Sequence, residues 1–290
     1  MLDGVLAAMI TPFNPDDRID KEGMQSNLDF LVKGGISGVV PSGTTGESST
    51  LTFQEHKEII DITVEYSQVP VLAGTGANST AEALELTKYA ADAGADAALL
   101  ITPYYNKPND DGLLKHFTKI ADNADIPQIL YNVPSRTCLN MKPGITAQLA
   151  SHPNVVGIKE ASGDLDQISD IIRLTLDEDF ILLSGDDAMT LPIMELGGVG
   201  VISVVANIVP GKMTAMVMAF KEGDLEEAKR LEAQIAPLIK ALFLETNPIP
   251  VKKAAELVGL AAGHLRLPLA PLSSGNEAKL LAELKVIGAL

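Results

Sequence analysis

The sequence predicts an α/β protein, a (β/α)8 TIM barrel with a C-terminal helical region. Eight short apolar runs recur along the chain, at 5–10, 38–41, 69–74, 97–102, 127–132, 155–159, 180–185 and 199–205. Apart from the last interval, successive runs start roughly 25 to 35 residues apart, which leaves room for a crossover helix between parallel strands. No G-x-G-x-x-G motif follows the first run, and an open doubly wound sheet usually has fewer strands, so a closed barrel is favoured.

Each run has the composition of a strand that is covered on both faces. The runs are continuously apolar, as in VPVLAG, PQILYN and VGVISVV. Helix signals lie between them: Thr52 and Glu55 have the spacing of a capping box. Ser79 and Glu82 repeat that spacing ahead of the next helix, which Gly94 is placed to end. The chain therefore alternates between strand and helix.

The residues after the eighth run are predicted to be helical. Periodic apolar segments occur near 211–222, 225–243, 249–258 and 276–285. We predict a catalytic barrel over residues 1–210, whose final helix extends to about 224, and a helical region over 225–290 packed on that barrel.

Composition excludes several classes of function. Of the 290 residues, 46% are hydrophobic and 21% are charged, which indicates a large core and not a disordered chain. The net charge of −16 repels phosphate backbones and anionic headgroups, so we expect neither nucleic-acid nor membrane partners. The N-terminal segment lacks the basic start of a signal peptide, and the one cysteine, Cys138, cannot form an internal disulfide. These features predict a cytoplasmic location.

A lysine ends the sixth apolar run, in the stretch VVGIKEASGD. A buried ammonium group is costly unless it is paired or loses its proton. Lys159 could therefore be an uncharged nucleophile that forms a Schiff base with a carbonyl substrate, or a cation that extends to solvent and pairs with Glu160. Tyr131 ends the preceding strand and could relay protons to this amine, or it could be an ordinary rim tyrosine. The presence of Tyr131 favours the interpretation of Lys159 as a nucleophile.

The other strand ends carry groups that suit a small carboxylate. The loop GTTGE at 43–47 could present backbone N–H groups to an anion, or it could be a tight turn with its hydroxyls satisfied locally. Arg136 could add a bidentate contact to a carboxylate, or it could be a lone surface arginine, which is the commoner case. No histidine lies at a strand end, and Asp186 and Asp187 could bind a cation but are more typical of a helix N-cap. The set predicts an aldolase site for a keto acid.

Several long motifs, in order, resemble one family over essentially the whole chain. They are GTTGESSTL at 43–51, TPYYNKP at 102–108, YNVPSRT at 131–137, VVGIKEASGD at 155–164, GVISVVAN at 200–207 and ETNPIPVK at 245–252. The chain resembles the dihydrodipicolinate synthase family, within the N-acetylneuraminate lyase superfamily of class I aldolases. The resemblance implies a Schiff-base lyase that condenses pyruvate with L-aspartate 4-semialdehyde, the committed step of the diaminopimelate and lysine pathway. It also implies that the reaction requires no metal or organic cofactor.

The resemblance also implies roles for individual residues. Lys159 would capture pyruvate. The other implied roles are a proton relay of Thr44, Tyr131 and Tyr105, contacts to the pyruvate carboxylate from Thr44 and Thr45, a contact to the semialdehyde carboxylate from Arg136, and a pocket lining of Gly185 and the Ile202 backbone.

An assembly and an effector site are implied as well. The family forms homotetramers built as dimers of dimers, in which Tyr105 would reach a neighbouring subunit's site. In members that L-lysine inhibits, the effector lies at the tight-dimer interface, and the matching positions here are Ser48, Ser49, His56, Asn78, Glu82 and Tyr104. Phe53 departs from the histidine found at its position in many bacterial members. Two alternatives stay open: another keto-acid aldolase of the superfamily, and a barrel that binds ligands without catalysis.

Overall fold

The computed structural model describes residues 2–290, which contain eight strands and twelve α-helices. The strands are β1 Gly4–Ala8, β2 Gly38–Val40, β3 Leu72–Gly74, β4 Ala97–Ile101, β5 Gln128–Asn132, β6 Val155–Glu160, β7 Ile181–Ser184 and β8 Gly200–Ser203. The helices are α1 Lys21–Lys33, α2 Phe53–Tyr66, α3 Thr80–Ala93, α4 Asp110–Ala121, α5 Pro134–Thr137, α6 Pro143–Ala150, α7 Leu165–Leu174, α8 Thr190–Leu196, α9 Pro210–Lys221, α10 Leu225–Ala241, α11 Ile249–Leu257 and α12 Ser274–Ile287.

Eight parallel strands that alternate with helices confirm the predicted TIM-barrel class, and α10 to α12 confirm the C-terminal helical region. By its internal contacts the chain divides into two compact units. Unit 1 comprises Met1–Val71 and Ser203–Leu290, and unit 2 comprises Leu72–Ile202. The division into a barrel over 1–210 and a helical region over 225–290 stays a prediction. Among residues 2–290, no helix combines the length and the apolar composition that crossing a membrane requires.

In unit 1, β1 and β2 form a parallel pair in which Leu6 lies opposite Gly38. Val39 continues the pairing through a parallel bridge to Val71. The third strand was expected to start at residue 69 but starts at Leu72. Pro70 has no N–H group to donate, so regular pairing begins after it, although its carbonyl accepts the Val39 N–H at 2.9 Å.

In unit 2, the register between β5 and β6 decides which side chains meet. Leu130 lies opposite Ile158, and both belong to the buried cluster that includes Phe117 of α4. Side chains alternate along a strand, so the next pair, Tyr131 and Lys159, points to the face away from these helices.

The helix signals between strands are confirmed with one correction. Thr52 caps α2, and its hydroxyl and the Glu55 carboxylate form the complete predicted capping box. Ser79 caps α3 and accepts the Glu82 N–H at 3.5 Å, but the reciprocal bond of a capping box is not formed. Gly94 ends α3 in the left-handed conformation, with φ +93°. The Glu82 carboxylate is therefore not engaged as a cap.

Candidate active site

Lys159 is a buried amine whose charged form is disfavoured. The residue is 7% exposed, and its Nζ lies 4.3 Å from the centroid of the Tyr131 ring. Burial lowers the pKa of Lys159 to about 8; the Asp187 carboxylate acts in the opposite direction, and the Arg136 guanidinium lowers the pKa further. With a pKa of about 8, about a quarter of the molecules carry a neutral amine at pH 7.5. The structure thus contradicts a lysine that extends to solvent.

The low pKa of Lys159 can be tested by chemical labelling. With a trace of acetic anhydride, the acetylation rate of each lysine follows its neutral fraction, so the rate at Lys159 should reach half its maximum near pH 8. Peptide mass spectrometry measures that rate at each pH. A half-maximum near pH 10.5, the value of an ordinary lysine, would contradict the environment described here.

Glu160 lies on the opposite face of β6 and has a separate set of partners. Its carboxylate accepts the Asn132 amide N–H at 3.0 and 3.2 Å and the Ser162 N–H at 2.7 Å. Asn132 also donates to Asn140, which donates to Gln167 of α7. Burial raises the pKa of Glu160, and these hydrogen bonds oppose that effect.

This polar network lies directly behind the pair of Tyr131 and Lys159. Asn132 lies opposite Glu160, one residue along from the pair of Tyr131 and Lys159. A network that bonds β5 to β6 at this position holds their register. A slip of β6 by one residue would exchange the faces to which Lys159 and Glu160 point. Glu160 therefore supports the strand and does not form an ion pair with Lys159.

Gly185 allows the backbone after β7 to approach Lys159. Its N–H donates to the Glu160 carbonyl at 2.7 Å. A Cβ added at this position would lie 3.1 Å from the Lys159 Cε and 2.7 Å from the Ala161 Cβ. Gly185 therefore lies beside the Lys159 side chain, and its lack of a Cβ leaves room for this approach.

Substitution of this glycine should disturb the lysine. We expect Gly185→Ala to lower the free energy of unfolding by about 1 to 3 kcal/mol, because the new methyl overpacks a filled site. It should also slow any reaction of the Lys159 amine. Gly144→Ala is a control for loss of a glycine, because nothing lies within 4 Å of a Cβ there and its φ lies outside the left-handed region. Chemical denaturation and the labelling rate of Lys159 measure both effects, and a Lys159 rate unchanged in G185A would contradict the close approach.

Arg136 and Asp187 follow the strands on either side of β6. Arg136 is exposed on α5, the single helical turn that begins at Pro134 and is separated from the end of β5 at Asn132 by Val133. Asp187 is 3% exposed, in the short 3-10 turn after β7. Asp186 caps that turn by accepting the Ala188 N–H at 2.9 Å, which confirms the N-cap interpretation for one of the two aspartates. Within residues 2–290, no three histidine, cysteine, aspartate or glutamate side chains are grouped to hold a metal ion.

The loop at 43–47 belongs to unit 1 and is a compact turn. The N–H groups of Gly46 and Glu47 donate to the carbonyls of Gly43 and Thr44, at 3.1 and 3.2 Å. The Thr45 hydroxyl accepts from the Asn247 amide at 2.9 Å. The N–H groups of Gly46 and Glu47 are therefore used within the turn and are not available to an anion. The N–H groups of Thr44 and Thr45 take no part in these two hydrogen bonds.

Tyr104 and Tyr105 lie in the loop after β4. The Asn106 N–H donates to the Tyr104 carbonyl at 2.9 Å, which makes a three-residue turn centred on Tyr105 at φ +72°. Tyr105 is 88% exposed, so its ring extends away from its own chain. A large aromatic ring held outward in a strained turn is suited to contact another molecule.

The residues of the implied effector site fall in both units. In unit 2, the Asn78 amide donates to the Tyr104 carbonyl at 3.2 Å, and burial and the Glu82 carboxylate raise the pKa of Tyr104. These three residues are therefore neighbours. Ser48 and Ser49 lie in a 3-10 turn of unit 1, and His56 is buried in α2.

Sequence reasoning missed three features of these groups. The first is Asp187 as a buried carboxylate that acts on the Lys159 amine. The second is the amide network behind Glu160. The third is the set of contacts from Asn247 and Lys252 to the 43–47 loop. The only available signal was the motif ETNPIPVK, which contains both of the last two residues.

Comparisons with known proteins agree over the full chain. The model of the dihydrodipicolinate synthetase family matches residues 1–287. The 4-hydroxy-tetrahydrodipicolinate synthase of Methanosarcina mazei is 62% identical over 290 residues, and the alignment covers 100% of both chains. A crystal structure of a dihydrodipicolinate synthase is 48% identical with a TM-score of 0.96, again over 100% of both chains. The chloride-inhibited dihydrodipicolinate synthase of Acinetobacter baumannii, complexed with pyruvate, is 42% identical with a TM-score of 0.97 over 100% of both chains.

Proposed function

The chain belongs to the dihydrodipicolinate synthetase family, and we propose that the residues described above carry out its reaction, the condensation of pyruvate with L-aspartate 4-semialdehyde. The protein is a lyase of diaminopimelate and lysine biosynthesis, with the 4-hydroxy-tetrahydrodipicolinate synthase activity of its full-length relatives. The single observation that carries the mechanism is the buried Lys159 amine, whose pKa burial lowers to about 8.

The chemistry begins on that amine. Neutral Lys159 adds to the C2 carbonyl of pyruvate, and the carbinolamine loses water to give a protonated Schiff base. Loss of a proton from C3 gives an enamine, which attacks the aldehyde carbon of the second substrate. The substrate's own amine then adds to C2 and expels Lys159, which closes the ring and restores the enzyme. The protonated Schiff base accepts the electron pair from C3, so the proposal requires no metal or organic cofactor.

The neighbours of Lys159 have matching roles in the proposal. Tyr131, whose ring lies 4.3 Å from the Lys159 Nζ, relays protons during formation and dehydration of the carbinolamine. Thr44 and Tyr105 complete the relay, and Thr44 and Thr45 bind the pyruvate carboxylate. These assignments rest on the family resemblance, as does the pocket lining by Gly185 and the Ile202 backbone.

Arg136 is proposed to bind the carboxylate of the semialdehyde. Support comes from its exposed position after β5 and from its electrostatic effect on Lys159. A guanidinium group offers the fork that a carboxylate accepts.

A substrate comparison tests the function. The protein should form the cyclic product from pyruvate and L-aspartate 4-semialdehyde, followed by mass spectrometry, and Arg136→Met should raise the KM for the semialdehyde more than that for pyruvate. Product from pyruvate with N-acetylmannosamine, and none with the semialdehyde, would instead indicate another aldolase of the superfamily. No product with any aldehyde would favour a barrel that only binds ligands.

We also propose the assembly, regulation and location that the family implies. The exposed Tyr105 supports a homotetramer, a dimer of dimers in which this ring enters a neighbouring site. The grouping of Asn78, Glu82 and Tyr104 supports an L-lysine effector site that Ser48, Ser49 and His56 complete. Unchanged activity in millimolar L-lysine would contradict the effector site. The pathway and the single cysteine support a cytoplasmic enzyme.

A further inference from the structure

A buried ion pair anchors the 43–47 loop within unit 1. Glu47 is 1% exposed, and its Oε1 accepts from the Lys252 Nζ at 2.7 Å. Its Oε2 accepts the backbone N–H of Arg266 at 3.1 Å. Both carboxylate oxygens are therefore bonded to the C-terminal part of the chain, more than 200 residues from the loop in sequence.

Lys252 is fully engaged in this contact. It is 2% exposed, its Nζ also donates to the His264 carbonyl at 2.6 Å, and the Nζ lies 4.5 Å from the centroid of the Phe13 ring. A carboxylate, a carbonyl and an aromatic face offset part of the ammonium group's loss of water, and burial still lowers the pKa of Lys252. Lys252 therefore has no access to solvent or to a ligand and acts only through Glu47 and these neighbours.

The loop needs such an anchor because its backbone is strained at both ends. Ser42 and Glu47 flank Gly43–Gly46 at φ +54° and +58°, in the left-handed region that side chains disfavour. Strained residues of this kind persist where contacts with the surrounding structure fix their backbone conformation, and they cluster at ligand sites. The Glu47 side chain, bonded at both oxygens, holds its own backbone in that conformation.

The same C-terminal segment also orients a threonine hydroxyl. Asn247, five residues before Lys252, donates its amide N–H to the Thr45 Oγ1 at 2.9 Å, and both residues are buried. This bond occupies an acceptor position of the hydroxyl and so directs the Thr45 proton elsewhere. One segment thus sets both the loop backbone and the direction of a hydroxyl in it.

We propose that Lys252, through Glu47, is a positioning residue that holds the 43–47 loop in the conformation that binds the pyruvate carboxylate. The proposal rests on the function proposed above, and it adds that binding of the keto acid depends on a buried cation that never touches it.

Lys252→Met tests this role because it removes the charge and keeps the length of the side chain. We expect KM for pyruvate to rise by about ten- to a hundredfold, because the loop loses its preorganisation. KM for the aldehyde and kcat at saturating pyruvate should change much less. Lys253→Met, the next residue of α11, is the matched control, because Lys253 pairs with Glu256 and Glu277, whose side chains are exposed at the surface.

A double substitution separates positioning from general damage. In Lys252→Met combined with Glu47→Gln, no unpaired charge is buried, so the pyruvate KM should fall part of the way back from its K252M value. If K252M does not fold, Glu47→Gln alone tests the same contact and should raise the pyruvate KM in the same direction. Circular dichroism and thermal unfolding establish that each variant is folded.

The possible results separate this inference from the proposed function. A pyruvate KM within twofold of wild type in folded K252M or E47Q overturns the positioning role, and so does a loss of kcat with KM unchanged. If the wild-type protein itself forms no adduct with pyruvate, the proposed function is wrong, and the positioning role that rests on it is wrong as well.

Discussion

Replacement of Lys159 with methionine should abolish turnover and make the protein more stable. Methionine has similar length and no amine, so no Schiff base can form and product formation should fall to background. The wild-type lysine is buried with its pKa lowered from 10.5 to about 8. Below pH 8 that shift costs the folded state about 3 kcal/mol, which the methionine variant avoids.

The pH dependence of this stability difference has a definite sign. The folded-state pKa of about 8 lies below the unfolded value of 10.5, so the folded protein binds fewer protons between these pH values. The wild-type free energy of unfolding therefore gains a contribution as pH rises from about 8 to 10.5. The advantage of K159M should be largest below pH 8 and should vanish above 10.5, as measured by urea unfolding.

Lys240→Met controls for the loss of a lysine, because Lys240 is exposed near the end of α10. It should keep full activity and change the free energy of unfolding little at any pH. Turnover by K159M at more than background, or a K159M variant less stable than wild type at pH 7, would contradict the buried reactive amine.

Tyr131→Phe should lower kcat by about 10²- to 10⁴-fold, the usual contribution of a positioned proton donor or acceptor. Phenylalanine keeps the aromatic face that lies 4.3 Å from the Lys159 Nζ, so the burial of the amine and its pKa near 8 should be retained. Steady-state kinetics gives kcat, and the labelling profile of Lys159 gives the pKa in the same variant.

Tyr66→Phe is a matched control for Tyr131→Phe. The Tyr66 ring also lies against a lysine, 5.2 Å from the Lys21 Nζ, but Lys21 is at the surface. This variant should retain the wild-type kcat. A kcat for Y131F within a few-fold of wild type would show that Tyr131 is a rim residue and not part of the proton relay.

The placement of Lys159 and Tyr131 was predictable because it depends on local and periodic information. Continuous apolar runs mark buried parallel strands, and consecutive strands of a barrel are neighbours, so the ends of the fifth and sixth runs had to adjoin. The register of β5 and β6 confirms that adjacency. Alternation along β6 likewise separates Lys159 from Glu160, a choice that the sequence had left open.

The anchoring contacts were not predictable because they join residues that are distant in sequence. Glu47 and Lys252 are 205 residues apart, and no periodicity or spacing rule connects them. The sequence also does not distinguish a buried lysine from a more exposed lysine on the same helix. Lys252 and Lys253 are adjacent in α11, yet Lys252 is buried and Lys253 is partly exposed. Only the tertiary structure identifies the partner that permits the burial.

The central claim is that Lys159 forms the covalent bond to pyruvate. Incubation of the wild-type protein with pyruvate, reduction with borohydride and peptide mass spectrometry would locate the adduct. We expect one reduced pyruvate adduct per chain, on the peptide that contains Lys159, with its yield abolished in K159M. No adduct, or an adduct on another lysine, would contradict the account.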